Sequence, residues 1–347
     1  MLELRGIDPH STDAFFQPQL EDLHDPLLMH GMEQAVDRLM QAQRDGQRIM
    51  AYGDYDVDGA TSVALVQEFL QNNGFDVLPY IPDRYNEGYG LSEEGVQTAA
   101  KQGCKLIITL DCGIRAVDRV LDAAQLGIDV IICDHHLPGP VMPAAHTILN
   151  PKQPHCPYPF KELSGCGVAF KLTQALTDRL GLSPMSAYDG LDLVALSIAS
   201  DLVAVTDENR ILLHHGLRTI SRNARPGIKA LLKVVRCDPD FLTVRDIISR
   251  VSPRINAAGR MARATEAVNL LTASNEAQAN ELALNLDRLN NVRRSYDEQV
   301  TQAAIQQLEE RDEFKHVNIV WGKDWHRGVI GIVATRLIEH RYRPSIV

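Results

Sequence analysis

The chain has 347 residues, of which 45% are hydrophobic and 23% charged, and its net charge is −10 at pH 7. That length holds two domains with sizeable cores, and the composition excludes a disordered or fibrous chain. The acidic balance argues against a protein that coats nucleic acid indiscriminately, while leaving room for a local basic groove.

In chain order, "MLELRGIDPH" has neither the basic start nor the apolar centre of a secretory signal. No uncharged apolar run approaches the length of a membrane span. The cysteines, Cys104, Cys112, Cys133, Cys156, Cys166 and Cys237, include no C-x-x-C pair, so the expectation is reduced thiols and a cytoplasmic location. Residues 1–45 read as a polar lead-in with one helix over "GMEQAVDRLMQAQRDG". From 46 to 135, the strands "RIMAYG", "DVLPYIP", "KLIITLD" and "DVIICD" alternate with helical stretches at about 59–72, 92–102 and 115–126. Near-continuous apolar strands separated by helices predict βαβ units, an α/β fold with a parallel sheet covered on both faces.

Residues 138–165 are rich in proline and read as loop; 166–220 read as helices. Residues 221–262 look mixed and mostly helical, with a break at "SRVSPRINAAGRM". Over 275–310, Leu282, Leu286, Leu289, Val292, Tyr296, Val300 and Ala303 recur every three or four residues. This predicts an amphipathic helix long enough to serve as a rod between two domains. The last piece, "HVNIVWGKDWHRGVIGIVATRLIEHRYRPSIV", begins another strand–loop–helix–strand unit, and the expectation is that the chain stops inside a domain.

The segment "AYGDYDVDGATS" carries Asp54, Asp56 and Asp58 followed by Gly59, which matches the first half of an EF-hand loop. The twelfth position, which must be a bidentate Glu, is Leu65, and a strand rather than a helix precedes the loop. The cluster is therefore either a solvated turn or part of a larger site. Asp111 ends the third apolar strand, and Asp134, His135 and His136 end the fourth. In open α/β sheets, ligands bind beyond the carboxyl ends of the strands. Taken singly, Asp111 reads as a helix N-cap and the histidine pair as surface. Together, carboxylates and imidazoles at one rim repel unless cations sit among them. Such a mixed set suits Mn²⁺ or a similar divalent ion, and the number of candidates suits two ions. Strand alternation turns Cys112 and Cys133 toward the core. His155, Cys156 and Cys166 fit no common zinc spacing.

"YGDYDVDGATS", "LDCG", "CDHH" and "SIASDLVAVTDENR" resemble the four successive motifs of the DHH phosphoesterase superfamily. "PDRYNEGYGL", "SPRINAAGRM" and "DWHRGVIGIVATRL" resemble those of its RecJ family of single-strand-specific 5′→3′ exonucleases, and the likeness runs from about residue 45 to the C-terminus. The resemblance implies a metal-dependent enzyme of DNA repair and recombination that releases 5′-mononucleotides from single-stranded DNA. It implies a DHH catalytic domain over 46–220, a mostly helical extension over 221–274, a connecting helix over 275–312 and the start of an incomplete DHHA1 domain over 313–347. Family members continue into the rest of DHHA1 and an oligonucleotide-binding barrel.

The resemblance also implies roles for residues. Asp56 and Asp111 hold one ion with Asp54 beside them; Asp58, Asp111, His135 and Asp201 hold the other, so that Asp111 bridges. Mn²⁺ is the expected ion, with Mg²⁺ second. His136 lies against the scissile phosphate, and Asp134 orients a histidine. Arg84 and Arg254 take the 5′-terminal phosphate, Tyr89 stacks on a base, and Asn256, Arg260 and His326 belong to motifs at the domain interface. The implied partners are a single strand with a 5′ end and, in a longer form, a single-strand-binding protein and a helicase; no membrane is involved. There are two competing readings, of which the first shares these ligands. One is a DHH/DHHA1 phosphodiesterase for short oligoribonucleotides or cyclic dinucleotides, which "SPRINAAGRM" and the Arg84–Tyr89 segment oppose. The other is an inactive replication scaffold, which the full set of ligand residues opposes.

Overall fold

The computed structural model describes residues 12–310 and 316–347. One parallel sheet of five strands organises the larger part: β1 (Arg48–Gly53), β2 (Val77–Tyr80), β3 (Cys104–Leu110), β4 (Asp129–Cys133) and β5 (Thr147–Leu149). Their order is β2-β1-β3-β4-β5. The chain therefore leaves β1 to one side and returns past it to β3, which opens a crevice beyond the carboxyl ends of β1 and β3. Helices Val57–Asn72, Glu93–Lys101 and Val117–Gln125 make the first three crossovers.

Alternate strand residues enter different cores. Ile49, Ala51, Leu106, Ile108, Ile131 and Cys133 join the larger one, and Met50, Tyr52, Ile107, Val130 and Ile132 join the smaller one on the other face. This period of two, with both faces covered, is why the strands read as unbroken apolar runs. Cys133 lies in the larger core and Cys112 in the smaller, so both thiols face the interior.

Three expectations need correction. The proline-rich stretch 138–165 is not all loop, because it contains β5, which pairs with β4 at the sheet edge. Three residues are too few to show a hydrophobic period. The lead-in is not merely polar: helix Met32–Arg44 buries Met32, Ala35, Val36 and Leu39 in the larger core. Residues 1–11 of that lead-in lie outside the described residues. "SRVSPRINAAGRM" is helical rather than broken, with a π-helical turn, Ile247–Val251, running into the α-helix Ser252–Met261. Pro253 falls in the first turn of that α-helix, where its missing N–H costs little, and Ile247, Val251 and Ile255 are buried beneath it.

The helix Glu276–Glu310 serves two cores. Ala279, Ala283, Leu286 and Leu289 pack into the larger core, while Val300, Ala304 and Leu308 build a separate small core with Val320, Val329, Val333 and Leu337. Between them the predicted seam is open: Val292 and Tyr296 are 37% and 40% exposed, because that stretch spans the gap between the cores. The small core carries a parallel pair, β6 (Asn318–Ile319) and β7 (Ser345–Ile346), joined by helix Arg327–His340. Among the described residues, no helix is long and apolar enough to cross a membrane.

Candidate metal centre

The loops that follow β1, β3 and β4 deliver acidic side chains to the crevice. Asp56 is the N-cap of helix Val57–Asn72, its Oδ1 accepting from Gly59 N at 3.1 Å. Asp58, two residues on, is held by a second helix N-terminus. Its Oδ2 accepts from Gly165 N at 2.7 Å, and its Oδ1 accepts from Cys166 N at 2.8 Å and from Ser197 Oγ at 2.7 Å. Free N–H groups at a helix start favour an anion there.

Asp111 directly follows β3 in a left-handed conformation, φ 61°, and its N–H donates to Cys133 O at 2.9 Å. A non-glycine residue held in that region marks a position fixed by its surroundings. Gly165 is part of that surround, since a Cβ there would lie 2.6 Å from Asp111 Cβ.

His135 Nε2 stands among three carboxylates, 3.1 Å from Asp111 Oδ1, 3.6 Å from Asp201 Oδ2 and 3.8 Å from Asp58 Oδ2. Asp201 reaches this point from the C-terminal end of helix Leu191–Ser200. Asp134 orients His136 rather than His135: its Oδ1 accepts from His136 Nδ1 at 2.7 Å and from the backbone N–H of both histidines. Its Oδ2 accepts from Ile114 N at 2.9 Å. His136 Nε2 is thereby turned outward, 3.4 Å from Tyr89 Oη. A cavity of about 470 Å³ opens beside it, lined by Tyr89, Ile114, Arg115, Leu137 and Lys152 among others.

The ligating atoms fall into overlapping groups, each within 4.8 Å: Asp54, Asp56 and Asp111; Asp58, His135 and Asp201; and Asp111, His135 and His136. Asp111 links them. Asp54 Oδ1, Asp111 Oδ1 and Asp201 Oδ2 are buried without a hydrogen bond. A buried acceptor without a donor is costly, and a cation removes that cost. Oxygen and imidazole donors in these numbers fit two divalent ions.

The electrostatics agree. Burial, and then the charge of Asp56, pushes Asp54 up to about 7. Burial, opposed by His135 and aided by Asp201 and Asp56, raises Asp58 to about 6. Asp111 lies well above the usual carboxylate range through burial first and then Asp58, Asp56, Asp134 and Asp54. Asp134 is the exception: burial works to raise it, but the hydrogen bond and charge of His136 outweigh burial and hold it low. The same bond raises His136 against its own burial.

The residues predicted to meet nucleic acid divide into two sets. Arg84 lies 4.6 Å over the ring of Tyr55, which packs edge-on to Tyr89, and Tyr89 is 58% exposed at the mouth of the crevice. The others lie at the junction of the two cores and make internal contacts. Arg254 pairs with Asp287 at 2.9 Å on the long helix. Asn256 Oδ1 accepts from Val57 N at 3.1 Å and so anchors the helix that bears Asp58. Arg260 donates to Gly328 O at 3.0 Å, and His326 caps helix Arg327–His340 between the rings of Tyr85 and Tyr296. Sequence reasoning missed Ser164, Gly165 and Ser197. A Ser N-cap before "GCGVAF" was a visible signal for the helix start, but its contact with Asp58 spans 107 residues and has no local trace. No metal-like grouping among the described residues includes His155, Cys156 or Cys166.

The DHH family, N-terminal domain, matches residues 48–198, which include every ligand candidate except Asp201. The single-stranded-DNA-specific exonuclease RecJ of Bacillus subtilis (strain 168) is 42% identical over 100% of this chain, which covers 44% of that protein. The protein of the same description from Escherichia coli (strain K12) is 40% identical over 92% of this chain, which covers 58% of it. The chain thus spans about half the length of the curated relatives it matches. A crystal structure of exonuclease RecJ bound to manganese superposes with a TM-score of 0.84 at 34% identity, covering 94% of this chain and 81% of that one. Identity and backbone agreement extend along almost the whole length, and the chain belongs to the RecJ family of DHH proteins.

Proposed function

We propose that this chain is the catalytic part of a metal-dependent 5′→3′ exonuclease that hydrolyses single-stranded DNA to 5′-mononucleotides. The observation that carries this reading is the pair of ligand groups Asp54–Asp56–Asp111 and Asp58–His135–Asp201, connected by the 3.1 Å approach of Asp111 to His135 and opening beside an exposed aromatic ring and an arginine. The names of the relatives and the manganese in a solved one support it and favour Mn²⁺, with Mg²⁺ second. The reading assigns residues 46–220 to the catalytic domain, 221–274 to its helical extension, 275–312 to the connecting helix and 313–347 to the start of a DHHA1 domain.

When bound, two divalent ions supply an activated water and neutralise charge on the phosphoryl oxygens. His136 has its Nδ1 fixed on Asp134 and its Nε2 facing the mouth, so it holds a proton where a leaving oxygen needs one. Arg84, steadied over Tyr55, offers a planar fork to a terminal phosphate. Tyr89 offers a ring face to a base without reading its identity, which suits a nuclease indifferent to sequence. In the cell this reading places the protein in the cytoplasm, in DNA repair and recombination. Its substrate is a single strand with a 5′ end, and its partners in a longer form are a single-strand-binding protein and a helicase.

The test is release of label from 5′-labelled single strands, duplexes and dinucleotides with Mn²⁺. Labelled mononucleotide from single strands, lost on chelation and in Asp111→Ala, is the expected result. Preference for dinucleotides would replace the substrate class. DNA binding without any hydrolysis would make the protein a scaffold.

A further inference from the structure

Between β2 and helix Glu93–Lys101 lies a loop, residues 81–92, that carries Arg84 and Tyr89 to the mouth of the crevice. Gly88 and Gly90 flank Tyr89 with φ of 85° and 83°. Glycine has the most conformational freedom to lose, so this stretch depends on its contacts to stay in one place. Those contacts converge on Glu87. Its Oε1 accepts from Asp83 N at 2.7 Å, and its Oε2 accepts from Tyr80 Oη at 3.0 Å and from Ser92 Oγ at 2.5 Å. One carboxylate thus ties the start of the loop, its end and the strand before it.

The ties extend to Arg84 and to the metal centre. Asp83 Oδ1 accepts from Tyr85 N at 2.8 Å and from Asn86 N at 3.0 Å, which closes a turn around Arg84. Tyr52, on β1, stacks on Tyr80 with ring centres 5.3 Å apart. Its Oη donates to Gly90 O at 2.8 Å and accepts from Ser92 N at 3.1 Å. Tyr52 stands two residues before Asp54, so the loop and the metal centre share an anchor. Burial first, and then the bond to Glu87, hold the Tyr80 hydroxyl above its ordinary range, so it remains a donor to that carboxylate.

In the nuclease reading, the 5′ phosphate rests on Arg84 while the ions act one nucleotide away, so the loop fixes how much strand lies between grip and cut. We propose that Glu87 is a positioning residue that sets this spacing and, with it, the length of the released product. This rests on the nuclease reading above. Without the carboxylate, the turn around Arg84 loses its tie to β2 and to Ser92. A grip displaced by an ångström or more no longer matches the cut, and the strand can slip by a nucleotide.

The experiment uses the 347-residue chain with Mn²⁺ and compares the parent with Glu87→Ala, Glu87→Gln and Glu94→Ala. Glu94 is exposed and takes no part in these bonds, yet its charge also reaches Tyr80, so Glu94→Ala removes the same charge from the same neighbourhood. The substrates are oligothymidylate with a 5′-radiophosphate, the same strand with a 5′-hydroxyl and a 3′ label, and thymidine 5′-(p-nitrophenyl phosphate), an ester without a terminal phosphate. The parent is expected to release labelled mononucleotide from the first. Glu87→Ala is expected to release labelled dinucleotide as well, and to raise KM for the phosphorylated strand about tenfold. KM for the hydroxyl strand and kcat for the small ester are expected to stay as they are. Glu87→Gln keeps one acceptor and loses the other, so it falls between, and Glu94→Ala matches the parent. Mononucleotide alone with an unchanged KM in Glu87→Ala, equal losses on all three substrates, or the same change in Glu94→Ala would each overturn the positioning role and leave the nuclease reading intact. If Glu87→Ala does not fold, an unchanged product and KM in Glu87→Gln overturns it. A parent that hydrolyses no substrate overturns the nuclease reading and the positioning role together.

Discussion

Lys171 and Glu208 are both 0% exposed and lie 2.6 Å apart, and between them they leave no carboxylate oxygen idle. Glu208 Oε2 also accepts from Tyr158 Oη at 2.6 Å, and Oε1 from His24 N at 3.0 Å. Arg225 forms a similar knot, forked onto Asp192 at 2.9 Å and paired with Glu68 at 2.6 Å. Asp54 and Asp111 are nearly as deeply buried and Asp201 is partly so, yet each keeps a buried oxygen without a donor. Completed charges hold helices together; incomplete ones, massed at the carboxyl ends of strands, are available to bind something.

The largest test of that contrast removes Asp111. Asp111→Ala is expected to abolish hydrolysis and Mn²⁺ binding while leaving the metal-free protein no less stable, because it relieves repulsion with Asp58, Asp56, Asp134 and Asp54. Glu208→Ala is expected to do the reverse. It strands a buried ammonium and costs about 3–5 kcal/mol in denaturant unfolding, with ligands of the centre untouched. If Asp111→Ala destabilises the metal-free protein as much as Glu208→Ala does, the two regions are alike and the contrast fails.

Asp134 sits between the two kinds, since it is buried, fully hydrogen-bonded and next to the ligands. Asp134→Asn replaces one acceptor with a donor against His136 or Ile114, so the histidine loses its fixed orientation. Turnover is expected to fall about 10–100-fold with the metal still bound, read by kcat and by Mn²⁺ titration. An unchanged kcat would mean that His136 needs no orientation.

These assignments were unevenly legible in the sequence. Ile49 to Gly53, Leu106 to Leu110 and Val130 to Cys133 announce buried strands, and Asp54, Asp111 and Asp134 come directly after their ends, so sheet and rim follow from pattern. Which histidine Asp134 orients was not legible, because it depends on how the loop folds back. The donors to Asp58 come from Gly165, Cys166 and Ser197, more than a hundred residues on, and no local propensity records such contacts. Arg254 reads through the resemblance as a phosphate-binding arginine, and its pairing with Asp287, 33 residues away on another helix, leaves no local trace.

The smallest expected effect is the most specific to an incomplete site. In the unfolded chain these carboxyls titrate near their ordinary 3.8, whereas in the folded protein without metal Asp54 reaches about 7 and Asp58 about 6. Between those values the folded state binds more protons than the unfolded one, so stability falls as pH rises. Their protonated forms contribute stability that is fully present below 3.8 and is lost as pH passes through about 6 and about 7. Asp134, held low, works the other way only at strongly acid pH, as it takes up its proton. The metal-free protein is therefore expected to melt at lower temperature at about pH 8 than at about pH 5. Mn²⁺ should raise the melting temperature more at the higher pH, where no proton competes for the ligands. The completed pairs at Lys171 and Arg225 give Mn²⁺ nothing to act on, so the centre alone sets the metal-dependent difference. A metal-free melting temperature that is flat or rises over this range would mean that the acids of the centre are ordinary solvated carboxylates, no different from those of a surface turn.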